Sequence, residues 1–201
     1  MKEDAAQASP LPSRAAALLP NFLTLCAILC GLISIRLSGE GETGWAAAAI
    51  FAAVLLDTAD GYAARRLSAV TAIGAELDSL ADFVNFGVAT AMLLYRSDLH
   101  LLGSAGWVAA CAYALATAVR LARFNAQSAK AGGQTAYFRG VPSTAAAAGV
   151  LIADSIANAW LPAADASVLM AGVVIAASAS MLSTLPVPAP FKRCGARPRN
   201  G

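Results

Sequence analysis

The chain predicts an all-α fold: a polytopic membrane bundle of six transmembrane helices, with both ends on the cytoplasmic side. Three observations lead there. Hydrophobic residues fill 58% of its 201 positions and charged ones only 13%, with a mean hydropathy of +0.63, unlike an ordinary soluble domain. Ala-rich apolar runs recur at lengths near the roughly 20 residues that cross a bilayer. The basic residues are also sorted by side. An N-in arrangement gathers Lys2, Arg14, Arg65, Arg66, Arg120, Arg123, Lys130, Arg139, Lys192, Arg193, Arg197 and Arg199 in the cytoplasm. It leaves only Arg36 and Arg96 outside, among Glu40, Glu42, Asp98 and Asp165, as the positive-inside rule requires.

The spans are expected at about 16–38, 44–66, 71–95, 104–127, 140–160 and 166–185. Residues 1–15 form a polar cytoplasmic tail, 16–186 the membrane domain and 187–201 a basic tail suited to anionic lipid. The first apolar run lacks a small-residue cleavage site and leads into further spans, so a removed signal peptide is not expected. Connections are short and no internal repeat is visible. Trp45, Trp107 and Trp160 fall near the outer ends, as in an interfacial aromatic belt. Cys26, Cys30, Cys111 and Cys194 lack CxxC spacing and read as small hydrophobes. The single histidine, His100, falls in a loop, which argues against His-based catalysis.

The chain is organised around Asp57 to Asp82. At 3.6 residues per turn, Asp57, Asp60, Gly61 and Ala64 fall within an arc of about 100° on the second span. Thr71, Gly74, Asp78, Asp82 and Asn85 fall within about 80° on the third, with Glu76 pointing away. Each acid costs about 2.5–3.5 kcal/mol in a bilayer on insertion scales unless it lines a cavity or meets a partner. Four converging carboxylates repel one another, and a divalent cation reverses that, since oxygen ligands suit Mg²⁺ or Mn²⁺. Four can hold two ions, the arrangement that clamps attacking and leaving oxygens in phosphoryl chemistry. The small residues beside them leave room for a phosphate-bearing ligand. Solvated helix-end acids would explain one or two such residues but not four in this register.

Supporting positions follow in order. Pro20 lies near the first turn of the first span, and Asn21 and Thr24 share a face there, suited to capping, interhelical hydrogen bonding or ligand contact. Thr71 is placed to cap the third span, whose N-terminal N–H groups can meet a phosphate. Tyr113, Thr117, Arg120 and Arg123 form a stripe about 120° wide on the fourth span. Its guanidinium pair, and Arg139 further on, can grip a carboxylate or phosphate, or anchor the chain at the headgroups. Asp154 lies inside the fifth span with no evident partner; a solvated place toward the outer end is one reading, and the sequence assigns it no role.

The stretch Asp57-x-x-Asp60-Gly61-x-x-Ala64-Arg65, eight residues, Gly74-x-x-x-Asp78-x-x-x-Asp82 resembles, at all nine fixed positions, the signature of the CDP-alcohol phosphatidyltransferases. Pro20-Asn21-x-x-Thr24 and the six-helix layout are similar to that family too. Leu121-Ala122-Arg123-Phe124-Asn125, Phe138-Arg139-Gly140-Val141-Pro142 and the Met181–Thr184 and Phe191-Lys192 ending look like its bacterial serine-using branch. Ser143, after the proline, stands where an apolar residue is more common.

The resemblance implies transfer of the phosphatidyl group of CDP-diacylglycerol to L-serine, with release of CMP. It implies two divalent ions, Mg²⁺ or Mn²⁺, on Asp57, Asp60, Asp78 and Asp82, with Asp82 also the general base. Asn21, Thr24, Gly61, Ala64, Arg65, Thr71 and Gly74 would line the CDP-diacylglycerol site. Arg120, Arg123 and Arg139 are candidates for the acceptor's carboxylate or the lipid phosphate. A homodimer in the cell membrane, its active site facing the cytoplasm, is expected. Glycerol phosphate, inositol phosphate or choline as acceptor would keep the same core motif. An intramembrane prenyltransferase, or an ion-coupled transporter, would also place acids within a membrane.

Overall fold

The computed structural model describes residues 14–67, 71–130, 138–139, 142–183 and 186–187. The expectations for most of the two tails, including Cys194, and for the 68–70 turn and most of the 131–141 loop lie outside the described residues. So do the side chains of Arg65 and Arg139.

The helices are α1 (Arg14–Gly39), α2 (Thr43–Arg66), α3 (Ala72–Asp82), α4 (Thr90–Ser97), α5 (Ser104–Lys130), α6 (Ser143–Trp160) and α7 (Ala163–Leu182). A π turn, Phe83–Ala89, joins α3 to α4, so the three run on as one rod that accounts for the third expected span. A 3₁₀ turn, Leu99–Leu102, carries the exposed His100. Two-residue segments Phe138–Arg139 and Pro186–Val187 pair antiparallel. The fold is the helical one expected. Five stretches are long and apolar enough to cross a membrane: Leu18–Gly39, Thr43–Ala64, Ile73–Ser97, Ser104–Gln127 and Ala163–Leu182. The remaining rod, α6, has only 18 residues and carries Asp154 and Asn158, which lower its hydropathy. Trp45, Trp107 and Trp160 are all exposed. Pro20 falls inside α1, which begins earlier than expected, at Arg14.

The contacts divide into two compact units, Met1–Ser97 and Asp98–Gly201. In the first, α1 and α2 form the most extensive helix pair. Their facing sides repeat every three or four residues: Thr24, Ala27, Gly31, Ser34 and Ser38 on α1, and Ala46, Ile50, Ala53 and Asp60 on α2, all buried. Small residues permit that approach, because helix association in lipid rests on backbone-close packing. Gly41, at φ 85°, ends α1 in the left-handed region, and the Glu42 N–H reaches back to the Leu37 carbonyl at 2.9 Å. Arg96 donates to the carbonyls of Ser38 and Gly39 at 3.4 and 2.9 Å, placing a cation on the helix C-terminus. The π turn packs on α1 so closely that a Cβ at Gly31 would run into the Asn85 carboxamide.

In the second unit α7 packs against both α5 and α6. Tyr113, Leu151, Met170, Val174 and Met181 form the core, and Thr117 on α5 donates to the Met181 sulfur at 3.5 Å. Asp154 is buried rather than solvated. One turn on, Asn158 donates to the Asp154 carbonyl and to the Asp98 carboxylate, each at 3.0 Å.

Candidate active site

The site lies in the first unit, where the last turns of α2 meet the first turns of α3. Both faces carry acids one turn apart, which the helical pitch brings to the same side. Oxygens from Asp57, Asp60 and Asp78 lie within 4.8 Å of one another. Ligands of one Mg²⁺ sit about 2.1 Å from it, so opposite ones are about 4.2 Å apart. The trio thus has nearly the spacing of a single ion's donor set, and its all-oxygen chemistry is what a hard divalent cation takes. At this separation each like-charged pair costs roughly 3–4 kcal/mol at an effective dielectric near 20. Such a cluster needs a counter-charge, and a cation supplies it. Asp82, one turn beyond Asp78, stands close enough to Asp57 for their charges to interact.

Beside the acids lies a cavity of about 200 Å³, lined by Pro20, Asn21 and Thr24 of α1, Asp60, Gly61 and Ala64 of α2, and Thr71, Gly74, Ala75 and Asp78. Six of the seven expected substrate-lining positions are therefore together: Asn21, Thr24, Gly61, Ala64, Thr71 and Gly74. The seventh, Arg65, has its side chain outside the described residues. Sequence reasoning missed Pro20 and Ala75 as wall residues, although both adjoin singled-out positions.

Local chemistry builds these walls. Thr71 is the N-cap of α3, its Oγ1 accepting the Gly74 N–H at 3.0 Å. The helix N-terminus, with its partial positive charge, is at the cavity edge. A Cβ at Gly74 would stand 3.0 Å from both Asn21 Oδ1 and Thr71 Oγ1, so glycine keeps room for both polar side chains. Thr24 Oγ1 donates to Asp60 Oδ2 at 2.6 Å, a bond no periodicity argument could locate.

Arg120 and Arg123, two of the candidate acceptor contacts, belong to the second unit. Arg120 and Arg123 line a smaller cavity with Phe124, Gln127, Met181 and Ser183. Arg120 is buried and donates to Ser143 Oγ at 2.9 Å. Arg123 is exposed and donates to the Leu182 carbonyl at 3.0 Å.

The family model for CDP-alcohol phosphatidyltransferase matches residues 17–178. Proteins named CDP-diacylglycerol–serine O-phosphatidyltransferase are similar. The one from Mycobacterium leprae is 45% identical over 138 residues, 67% of this chain and 45% of the relative. That from Bacillus subtilis is 39% identical over 112 residues, 56% of this chain and 63% of the relative. That from Methanocaldococcus jannaschii is 37% identical over 113 residues, 55% of this chain and 50% of the relative. The match spans about half the length of the first of these relatives.

Proposed function

Because this chain belongs to the CDP-alcohol phosphatidyltransferase family, we propose that it moves the phosphatidyl group of CDP-diacylglycerol to the hydroxyl of L-serine. The products are phosphatidylserine and CMP. The observation that carries the reading is the ion-sized oxygen cluster of Asp57, Asp60 and Asp78, with Asp60 and Asp78 on the wall of a cavity that six of the expected substrate positions also line. Serine as the acceptor is supported by the names of the relatives.

Asp57, Asp60, Asp78 and Asp82 are the residues that would hold two divalent ions, Mg²⁺ or Mn²⁺. When bound, such ions neutralise the charge that develops on the diphosphate. Asn21 and Thr71 offer polar contacts across Gly74, and Gly61 and Ala64 let the nucleotide lie close against α2. Asp82 takes the hydroxyl proton of serine, for which it must come within hydrogen-bond reach. The new bond joins the serine oxygen to the phosphorus that carries diacylglycerol; the bond from that phosphorus to the CMP oxygen breaks, and CMP leaves. Arg120, Arg123 and Arg139 keep their proposed role as contacts for a carboxylate or lipid phosphate. The protein is multi-pass, and we place it in the cell membrane as a homodimer with the site facing the cytoplasm, where serine and nucleotides are available.

Labelled serine supplied to the purified protein with CDP-diacylglycerol and Mn²⁺ tests this. Label should enter a lipid that migrates as phosphatidylserine. Incorporation of glycerol phosphate, inositol phosphate or choline instead would keep the family chemistry and replace the acceptor. No incorporation with any alcohol would overturn the reading.

A further inference from the structure

We propose that Thr24 is a positioning residue for Asp60, and that its hydroxyl sets the protein's affinity for the divalent cation before any nucleotide binds. The inference rests on the metal-binding part of the proposed function and assigns Thr24 a task beyond that of a cavity wall.

The Thr24 hydroxyl has one proton and two acceptors. Asp60 Oδ2 stands at 2.6 Å and the Pro20 carbonyl at 3.0 Å. The shorter distance is that of a charge-assisted O–H···O⁻ bond, and the longer is at the outer edge of the ordinary range. The carbonyl at i−4 is also the normal acceptor of the Thr24 backbone N–H, so the hydroxyl proton belongs to the carboxylate. Both side chains are buried, each about 4% exposed. The bond runs from α1 to α2, between two helices whose small-residue faces already hold them close.

Two consequences follow. With a donor fixed on Oδ2, the Asp60 carboxylate is held in one orientation, and its remaining lone pairs are directed to the shared spot with Asp57 and Asp78. The γ-methyl of threonine restricts χ1, so the hydroxyl is aimed at α2 before the ion arrives. Outer partners of this kind are typically worth about 10–100-fold in metal affinity.

The test is Mn²⁺ binding to the purified full chain in detergent without nucleotide, read by the electron paramagnetic resonance of the free ion. Thr24→Val, which keeps the shape and removes the hydroxyl, should bind Mn²⁺ about 10–100-fold more weakly than wild type. Thr24→Ser should stay within about threefold. Thr24→Ala gives the same reading if the valine variant is not recovered folded. Wild-type affinity in the valine or alanine variant, with a raised KM for CDP-diacylglycerol, would make Thr24 a nucleotide contact and overturn the proposal alone. A serine variant as weak as the valine one would overturn it as well. A wild type that binds no Mn²⁺, indistinguishable from Asp60→Asn, would remove the metal reading beneath it.

Discussion

Arg120 on α5 and Ser143, the first residue of α6, are both buried and joined by a 2.9 Å hydrogen bond from guanidinium to hydroxyl. The serine is thus a polar partner of a charge held inside a membrane protein, where apolar neighbours would raise its cost. Ser143→Ala should destabilise the protein by about 1–3 kcal/mol, since a hydrogen bond to a charged group is lost in a buried place. Thermal unfolding in detergent would show it as a lowered midpoint, and an unchanged midpoint would mean the bond contributes nothing.

The contact between Gly31 and Asn85 makes a second prediction. A methyl at Gly31 would meet the Asn85 side chain, whereas one at Gly149 would have nothing within 4 Å. Gly31→Ala should cost about 1–3 kcal/mol through overpacking. Gly149→Ala, in an exposed helical position, should be neutral or stabilising by up to about 1 kcal/mol. Comparing the two midpoints checks the packing of α1 on the π turn; equal effects would deny it.

Thr71 bears on both stability and the cavity. Thr71→Ala removes the side chain that accepts the Gly74 N–H and should cost about 1 kcal/mol as a lost N-cap. Thr71→Ser should restore most of it. Unfolding midpoints of the two variants, measured side by side, check the cap.

Much of this was legible beforehand, and the parts that were not share a cause. Asp57 with Asp60, and Asp78 with Asp82, are one turn apart, so helical periodicity alone put each pair on one face. The Thr71 cap and the glycine at Gly74 are local, and both were readable three residues at a time. The partners of Thr24, Arg120 and Asn158 lie 36, 23 and 60 residues away in sequence, and only packing reveals such distant contacts. Asp154 was left without a role for that reason: its burial depends on neighbours that its own helix does not encode. The π turn escaped because a seven-residue widening of the helix leaves no trace in an apolar run.

Chelation supplies a further expectation. Removing divalent ions should abolish turnover, and adding back Mn²⁺ or Mg²⁺ should restore it. Asp57→Asn or Asp78→Asn should lower turnover by at least about a hundredfold even with ion in excess, because the three-oxygen cluster loses a charge. Turnover that survives exhaustive chelation would contradict a metal role for the cluster.

The most direct single measurement is CMP release from CDP-diacylglycerol by the purified protein with Mn²⁺, comparing wild type with Asp82→Asn, with and without L-serine. The expected result is release that requires serine and metal and vanishes in the Asp82 variant, while that variant still binds CDP-diacylglycerol. Full activity in Asp82→Asn, or no release from folded wild-type protein with any alcohol, would contradict it.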